Sequence, residues 1–537
     1  HSKPVVVETS SQPVPITGAA SFSIFVKTGT SGRSAFRSAI AGKLGDSQDA
    51  KTTAEIEMCL YDENGREIGE VVKLRGAGAA SGSEAPDIVS LCVQDARDIV
   101  AVKLCKRGDP GYTWFVDSVS IVRADDPNAT PHTFPIFRWV SDVMFGFRTP
   151  RGRDELAATV RASAGPLHQQ YLQEQSQTYI LDSSDATLPP RLRAPEGYSS
   201  LPVDERFNDT KSNDYVESRN EVLRSLMLGR LLGAFKRWNS FDDYDDFFVT
   251  VDKPALIDED WQSDATFGRA RLQSAALTSL VRIGPHGNGA ALPSNFAVRD
   301  EHIPGTTTVQ QALDAGSLYL VDTRILDNVP LQDKRYTCCP LCLLWVDPAG
   351  DGALMPLAIQ LHQRPTDDLT NPIFTPASHP ADWLYAKMCV NHADLWLFQL
   401  TDHLTLTHLC TEPLIVAMHR HLPPTHPVFK LLRPHTKFQL GINALARQTL
   451  IGPGGLVEAV APYTIEGVQT VIRRHYAGVT SWLSALAFPH AVAGRGLGDG
   501  SGAAAAGLAN AGFHYLDDGS ALWAALRTYV GDVVALA

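Results

Sequence analysis

Cysteine is sparse in this chain of 537 residues, basic charge does not prevail, and no long apolar run occurs. The eight cysteines are Cys59, Cys92, Cys105, Cys338, Cys339, Cys342, Cys389 and Cys410. Spread over this length, they do not form the dense framework of a small disulfide-stapled domain. Cys339 and Cys342 make one CxxC with no second pair and no spaced histidines, so a zinc site is not indicated. The surrounding CCPLCLLWV reads as a buried strand. Lys and Arg number 47 against 59 Asp and Glu, a formal net charge of −12. An acidic chain repels polyanions, which argues against nucleic acid as a partner. Anionic membrane is repelled too, unless a basic patch or a bridging cation intervenes. No window approaches the roughly 18 unbroken apolar residues of a membrane span. The first residue is His1, not Met, so a processed or incomplete start is expected, with room for a removed targeting peptide.

What is present is the balance of a globular protein, 44% hydrophobic and 20% charged, too long for one ordinary core. Residues 1–20 read as a loose lead-in. From Ser21 to about Val122, the runs SFSIFVKTGT, TAEIEMCLYDENG, EVVKL, DIVAVKLCKRGD and YTWFVDSVSIV alternate as strands. Their regular spacing predicts an antiparallel β-sandwich, with GAGAASGSEAPD as a flexible loop. Residues 123–140 read as a Pro-rich connector ending in aromatics. From about 150 onward helical patterns dominate, as in 215–238 and from Asp382 to Leu422. LCLLWVDPAGDGALMPLAIQL predicts a hairpin. The Gly/Ala-rich stretch 494–512 reads as a surface loop.

The most informative segment is LFQLTDHLTLTHLCTEPLIVAMHRHL, 397–422, which places His403 and His408 five positions apart. On a regular α-helix that spacing turns two rings about 140° away from each other. A π-turn closes i to i+5 and brings them to one side, and such turns cluster at functional sites. The spacing alone is weak, because His419, His421, His426 and His435 are also nearby and helix histidines are usually structural.

The flanking text changes the weighting. DWLYAKMCVNHAD, HLTLTH, EPLIVAMHRHLPPTHPVFKLLRPH and GINALARQTLI follow one another in the order and spacing of the lipoxygenase family, which the chain resembles. LMPLAIQLHQ, NPIFTP, TFGRARLQ and AVRDEHI upstream, and FPHAVAGRGL and YLDDGSALWAALRTYVGDVV downstream, also resemble it. The sandwich, ending in FPIFRWV, resembles the PLAT domain found in front of that catalytic domain. The resemblance implies a PLAT β-sandwich over 21–140, then a large, mainly α-helical catalytic domain over 141–537 with a π-turn in its metal helix.

By that resemblance His403 and His408 are the first two ligands of one non-haem iron, with Gln399 behind them. Neutral nitrogen donors suit iron that cycles between two oxidation states. Glu412 is expected to be a buried structural partner, and Leu404 and Leu406 to be packing residues. Ala446 matches the position that steers oxygen, where Ala goes with S products; Leu450 and Val457 match the apolar fatty-acid channel. Trp114 and Phe115 are the candidates for membrane docking by the sandwich, whose acidic loops admit Ca2+. The implied reaction is hydrogen abstraction from a cis,cis-1,4-pentadiene of a polyunsaturated fatty acid, followed by O2 addition to give a hydroperoxide. A monomer is expected, cytoplasmic or plastid, peripheral at membranes or lipid droplets. The family completes its iron shell with a third His, an Asn or His four residues later, and a C-terminal Ile carboxylate. No His after His435 has Asn or His four residues on, the chain ends in Ala537, and His514 with Asp518 falls in a different family segment. The expectation is therefore a chain that stops before its last helices, inactive as given, with a large apolar face uncovered. The alternatives are a non-catalytic lipid-binding relative that has lost its iron, and a hydroperoxide isomerase.

Overall fold

The computed structural model describes residues 20–28, 55–74 without 63, 87–93, 99–107, and 114–148 without 125, 127, 141 and 142. It also describes 166–241 without 208 and 236–238, then 243, 260–285 without 274–276, 290–497 without 348, 349, 368, 425, 480 and 482–485, then 508 and 511–536.

Alternation of apolar and polar residues builds the first unit. Its strands are β1 (Ala20–Thr28), β2 (Glu55–Tyr61), β3 (Glu67–Leu74), β4 (Asp87–Val93), β5 (Ala101–Arg107), β6 (Trp114–Arg123), β7 (His132–Val140) and β8 (Val143–Phe147). They form two four-stranded antiparallel sheets, β4-β1-β6-β7 and β3-β2-β5-β8. Ile24, Met58, Leu104, Val119, Ile121 and Phe134 fill the space between them. The segment 123–140 is thus not a connector: its second half is the edge strand β7, with Pro135 opposite Ser118 beside a register shift. An edge strand tolerates proline because one row of its backbone groups has no strand to pair with. β8 likewise belongs to the sandwich, pairing with β5. The lead-in up to residue 19 and the loop 75–86 lie outside the described residues.

Helix α1 (Pro166–Thr178) closes the sandwich from outside. Its Leu167 and Tyr171 pack on Phe145 and Phe147, and His168 stacks on Phe147 with ring centres 4.2 Å apart. Two short strands, β9 (Leu181–Asp182) and β10 (Arg191–Leu192), lead on to helix α2 (Asp209–Phe235). Helix α3 (Asp264–Gln273) lies against a five-stranded sheet of β11 (Leu280–Arg282), β12 (Leu318–Asp322), β13 (Leu341–Val346), β14 (Leu354–Gln360) and β15 (Ile373–Phe374). A Cβ at Gly268 would collide with the Leu354 carbonyl, so this contact needs glycine. β13 and β14 form the expected hairpin, and all six residues of β13 are buried.

Helix α4 (Pro380–Phe398) runs directly into a π-helix, Gln399–Leu409. Then come α5 (Glu412–His421), α6 (Pro427–Thr436), α7 (Gln439–Thr449), α8 (Ile465–Gly478) and α9 (His514–Leu536). In the stretch expected to be a surface loop, Leu497 and Leu508 are instead buried in the core of the sheet, while 498–507 lies outside the described residues. Apolar side chains in water gain by burial even where Gly and Ala surround them. α9 exposes Leu522, Leu526, Tyr529 and Val534. No helix among the described residues is long and apolar enough to cross a membrane.

Candidate metal centre

The π-helix has a visible local cause. Thr405 Oγ1 donates to the Leu400 carbonyl at 2.6 Å and Thr407 Oγ1 to the Asp402 carbonyl at 2.7 Å, both five residues back. Thr401 and Thr411 donate to carbonyls four residues back, at 2.7 and 2.6 Å. Hydroxyls inserted into the backbone ladder spread a helical turn. Leu400, Thr401, Thr405 and Leu409 bury the opposite face. Leu404 packs beside that core, as a packing residue should.

The widened turns bring the rings of His403 and His408 to a centre-to-centre distance of 5.0 Å at 65°. Two imidazoles sharing one ion through bonds of about 2 Å hold their centres on the order of 5 Å apart. The remaining question is which nitrogens are free. His403 Nδ1 faces Gln399 Oε1 at 2.7 Å. His408 Nδ1 faces Asn443 Oδ1 at 3.0 Å. The Asn443 orientation is fixed, because its Nδ2 donates to the His408 carbonyl at 2.9 Å and to Glu412 Oε2 at 2.7 Å. Its oxygen must therefore face the ring, so the ring proton sits on Nδ1 and the Nε2 lone pair is bare. Gln439, 3.3 Å from the same Nδ1, is then a donor to the Thr407 carbonyl. Partial desolvation, and second the neighbouring His408, lower the His403 pKa and favour the neutral, ligating form.

Behind Asn443 stands a buried carboxylate. Glu412 is 1% exposed and accepts from the Leu192 backbone N–H at 2.8 Å and from Arg447 Nη2 at 2.6 Å. It supports an imidazole through an amide and does not face the rings as a base. The residues present thus fit a divalent metal held by two nitrogens, with amides orienting both donors. Among the described residues no group of three or more His, Cys, Asp or Glu could hold a metal.

Of the other predicted residues, Ala446 lies on α7 one turn beyond Asn443, half-buried. Leu450 ends that helix, and its carbonyl accepts from Val457 N at 3.0 Å. Val457 packs on the cluster that includes Leu404, Leu409 and Ile451. A cavity of about 350 Å³ opens behind the π-helix, on Leu188, Leu409, Arg447, Ile451 and Ile472. Ala446, Leu450 and Val457 do not line it. Trp114 and Phe115 open β6, but their side chains lie outside the described part. Reading the sequence alone missed Asn443 and Gln439. The available signal was that Asn443 stands three residues before Ala446 on one helix, in the same INALARQ motif.

The lipoxygenase family model matches residues 210–537, and the PLAT/LH2 domain model matches 43–143. The chain belongs to the lipoxygenase family. It is 33% identical, over 80% of its length, to the allene oxide synthase-lipoxygenase protein of Plexaura homomalla, and spans 40% of that protein. A LOX crystallised anaerobically in complex with arachidonate superposes at TM-score 0.78 and 29% identity, covering 96% of this chain and 73% of that one. A coral 8R-lipoxygenase, described with calcium activation through a C2-like domain, superposes at 0.77 and 30% identity, covering 96% and 72%. The PLAT sandwich, the helical lipoxygenase domain and the π-helix are the architecture expected of this family.

Proposed function

We propose that this lipoxygenase oxygenates polyunsaturated fatty acids bearing a cis,cis-1,4-pentadiene, with one non-haem iron whose first two ligands are His403 and His408. The observation that carries the reading is the convergence of two imidazoles, 5.0 Å apart, each with an amide oxygen on Nδ1. When bound, the iron supplies one-electron chemistry for removing a bis-allylic hydrogen atom. The chain's own part is positioning: Gln399 and Asn443 hold both rings in the tautomer that presents Nε2. Ala446, on the same side of α7 as Asn443, limits the approach of O2 and favours an S hydroperoxide. Leu450 and Val457 border the lipid tail, which gains about 0.8 kcal/mol per buried methylene. The sandwich docks on membrane through Trp114 and Phe115, with Ca2+ on its acidic loops offsetting the chain's negative charge. The family likeness and the relatives' calcium and arachidonate chemistry support this reading.

The test is to reconstitute the full chain with Fe(II), measure bound iron, and follow conjugated-diene absorbance on linoleate and arachidonate. His403→Ala and His408→Ala are each expected to abolish stoichiometric iron. If both variants bind iron as the parent does, the assignment of the centre fails. Lipid binding without iron or diene formation would instead support the non-catalytic reading.

A further inference from the structure

Away from the imidazoles, two thiols from different parts of the fold touch. Cys338 lies in the segment leading into β13, and Cys389 lies in the middle of α4. Their sulfurs are 3.3 Å apart, and both are free thiols. The Tyr336 hydroxyl is 3.4 Å from Cys338 Sγ, and the Tyr385 side chain hydrogen-bonds Cys389. Cys338 and Cys389 are 3% and 9% exposed, while Tyr336 and Tyr385 are 59% and 45% exposed. The pair therefore sits one side chain beneath solvent. A disulfide needs the sulfurs at about 2.0 Å, so closing the pair asks for an approach of about 1.3 Å.

The three other cysteines that follow residue 330 are placed differently. Cys339 turns its sulfur to the Thr323 carbonyl at 3.0 Å, and burial pushes its pKa up to about 12. Cys342 is wholly enclosed in β13 and raised by burial. Burial raises Cys410 to about 11. The contact with Cys389 lowers Cys338 against its burial, with help from Tyr336, while the same contact raises Cys389. The thiolate is the nucleophile in thiol oxidation, and Cys338, with the Tyr336 hydroxyl 3.4 Å from its sulfur, is assigned as the attacking sulfur and Cys389 as the resolving one.

We propose that Cys338 and Cys389 form a dithiol that a hydroperoxide converts to a disulfide, tethering the segment before β13 to the helix that runs into the two imidazoles. The Cys338 thiolate attacks the outer oxygen of the hydroperoxide; the O–O bond breaks, and the departing alkoxide takes a proton to become an alcohol. Cys338 is then a sulfenic acid. The Cys389 sulfur attacks it, the S–S bond forms, the S–O bond breaks, and water leaves with the Cys389 proton. Two thiols and one hydroperoxide give one disulfide, one alcohol and one water; the sulfurs lose the two electrons that the peroxide gains. Any hydroperoxide suffices, so the inference stands independently of the proposed fatty-acid reaction.

The test treats the folded full chain with hydrogen peroxide and, separately, with cumene hydroperoxide. Free thiols are alkylated, and the digest is read by mass spectrometry. The expected result is the loss of both Cys338 and Cys389 thiols as one crosslink, restored by dithiothreitol. In Cys389→Ser the sulfenic acid persists, and dimedone labels Cys338; in Cys338→Ser neither crosslink nor label appears at Cys389. Thermal unfolding of each variant shows whether it is folded. Cys338 and Cys389 remaining fully alkylatable after both treatments would overturn the proposal. Crosslinks through Cys339 or Cys342 as abundant as the one through Cys338 would do the same.

Discussion

The rings of His403 and His408 lie 5.0 Å apart but are held there in opposite ways. His403 is oriented by Gln399, one turn back on its own helix, so its support comes with the π-helix itself. His408 is oriented by Asn443 on α7, and Asn443 is anchored by Glu412 on α5, which Arg447 and the Leu192 backbone complete. One ring is supported by local sequence and the other by the assembled fold. Local support tolerates change in the rest of the protein; tertiary support transmits it.

The largest effect is expected where the tertiary chain is anchored. Glu412→Leu removes the acceptor of Asn443, Arg447 and the Leu192 N–H, and breaking such a buried pair costs about 3–5 kcal/mol. Urea unfolding measures this, and a loss below about 1 kcal/mol would mean the network is not cooperative. Next, Asn443→Ala should leave the fold largely intact and weaken Co(II) or Fe(II) binding about 10- to 100-fold, as losing a ligand's orienting partner does. Gln399→Ala should weaken the same binding less, under about tenfold, because the π-helix still aims His403. If the two amide variants prove equal, the contrast between local and tertiary support is wrong.

The smallest effect comes from an imidazole that has no role at the centre. His168 is held down at about 4, from an ordinary value of 6.5, by burial between α1 and the sandwich. Its folded pKa lies below the unfolded one, so the unfolded chain binds the extra proton first. Stability is fully present above about pH 6.5 and falls as the pH drops toward 4. At pH 5.5 the loss is on the order of 1 kcal/mol. A His168→Phe variant unfolding with the same pH dependence as the parent would show that another group carries it.

Legibility in the sequence followed the same divide between local and tertiary. The runs that became β1, β2, β3, β5 and β6 alternate clearly, and pattern alone located them. β7 was hidden because Pro131 and Pro135 read as breakers, and only pairing with β6 shows that the strand lies at an edge. β4 was hidden beside a Gly/Ala/Ser-rich run whose composition masks a short apolar strand. The π-turn was legible only once the flanking resemblance made His403 and His408 a pair, because two histidines five positions apart come to one side only on a widened helix. Asn443 was not, since an amide carries no marker of its own and lies 35 residues from the ring it orients. Leu508 was missed because burial depends on the partners supplied by the rest of the fold.

The Arg447 guanidinium has one further consequence. It already balances Glu412, so the carboxylate nearest this relay brings no net negative charge toward the two rings. Replacing Arg447 by a neutral residue would leave that carboxylate unbalanced, and its negative charge would be felt at the two rings from a position that touches neither of them.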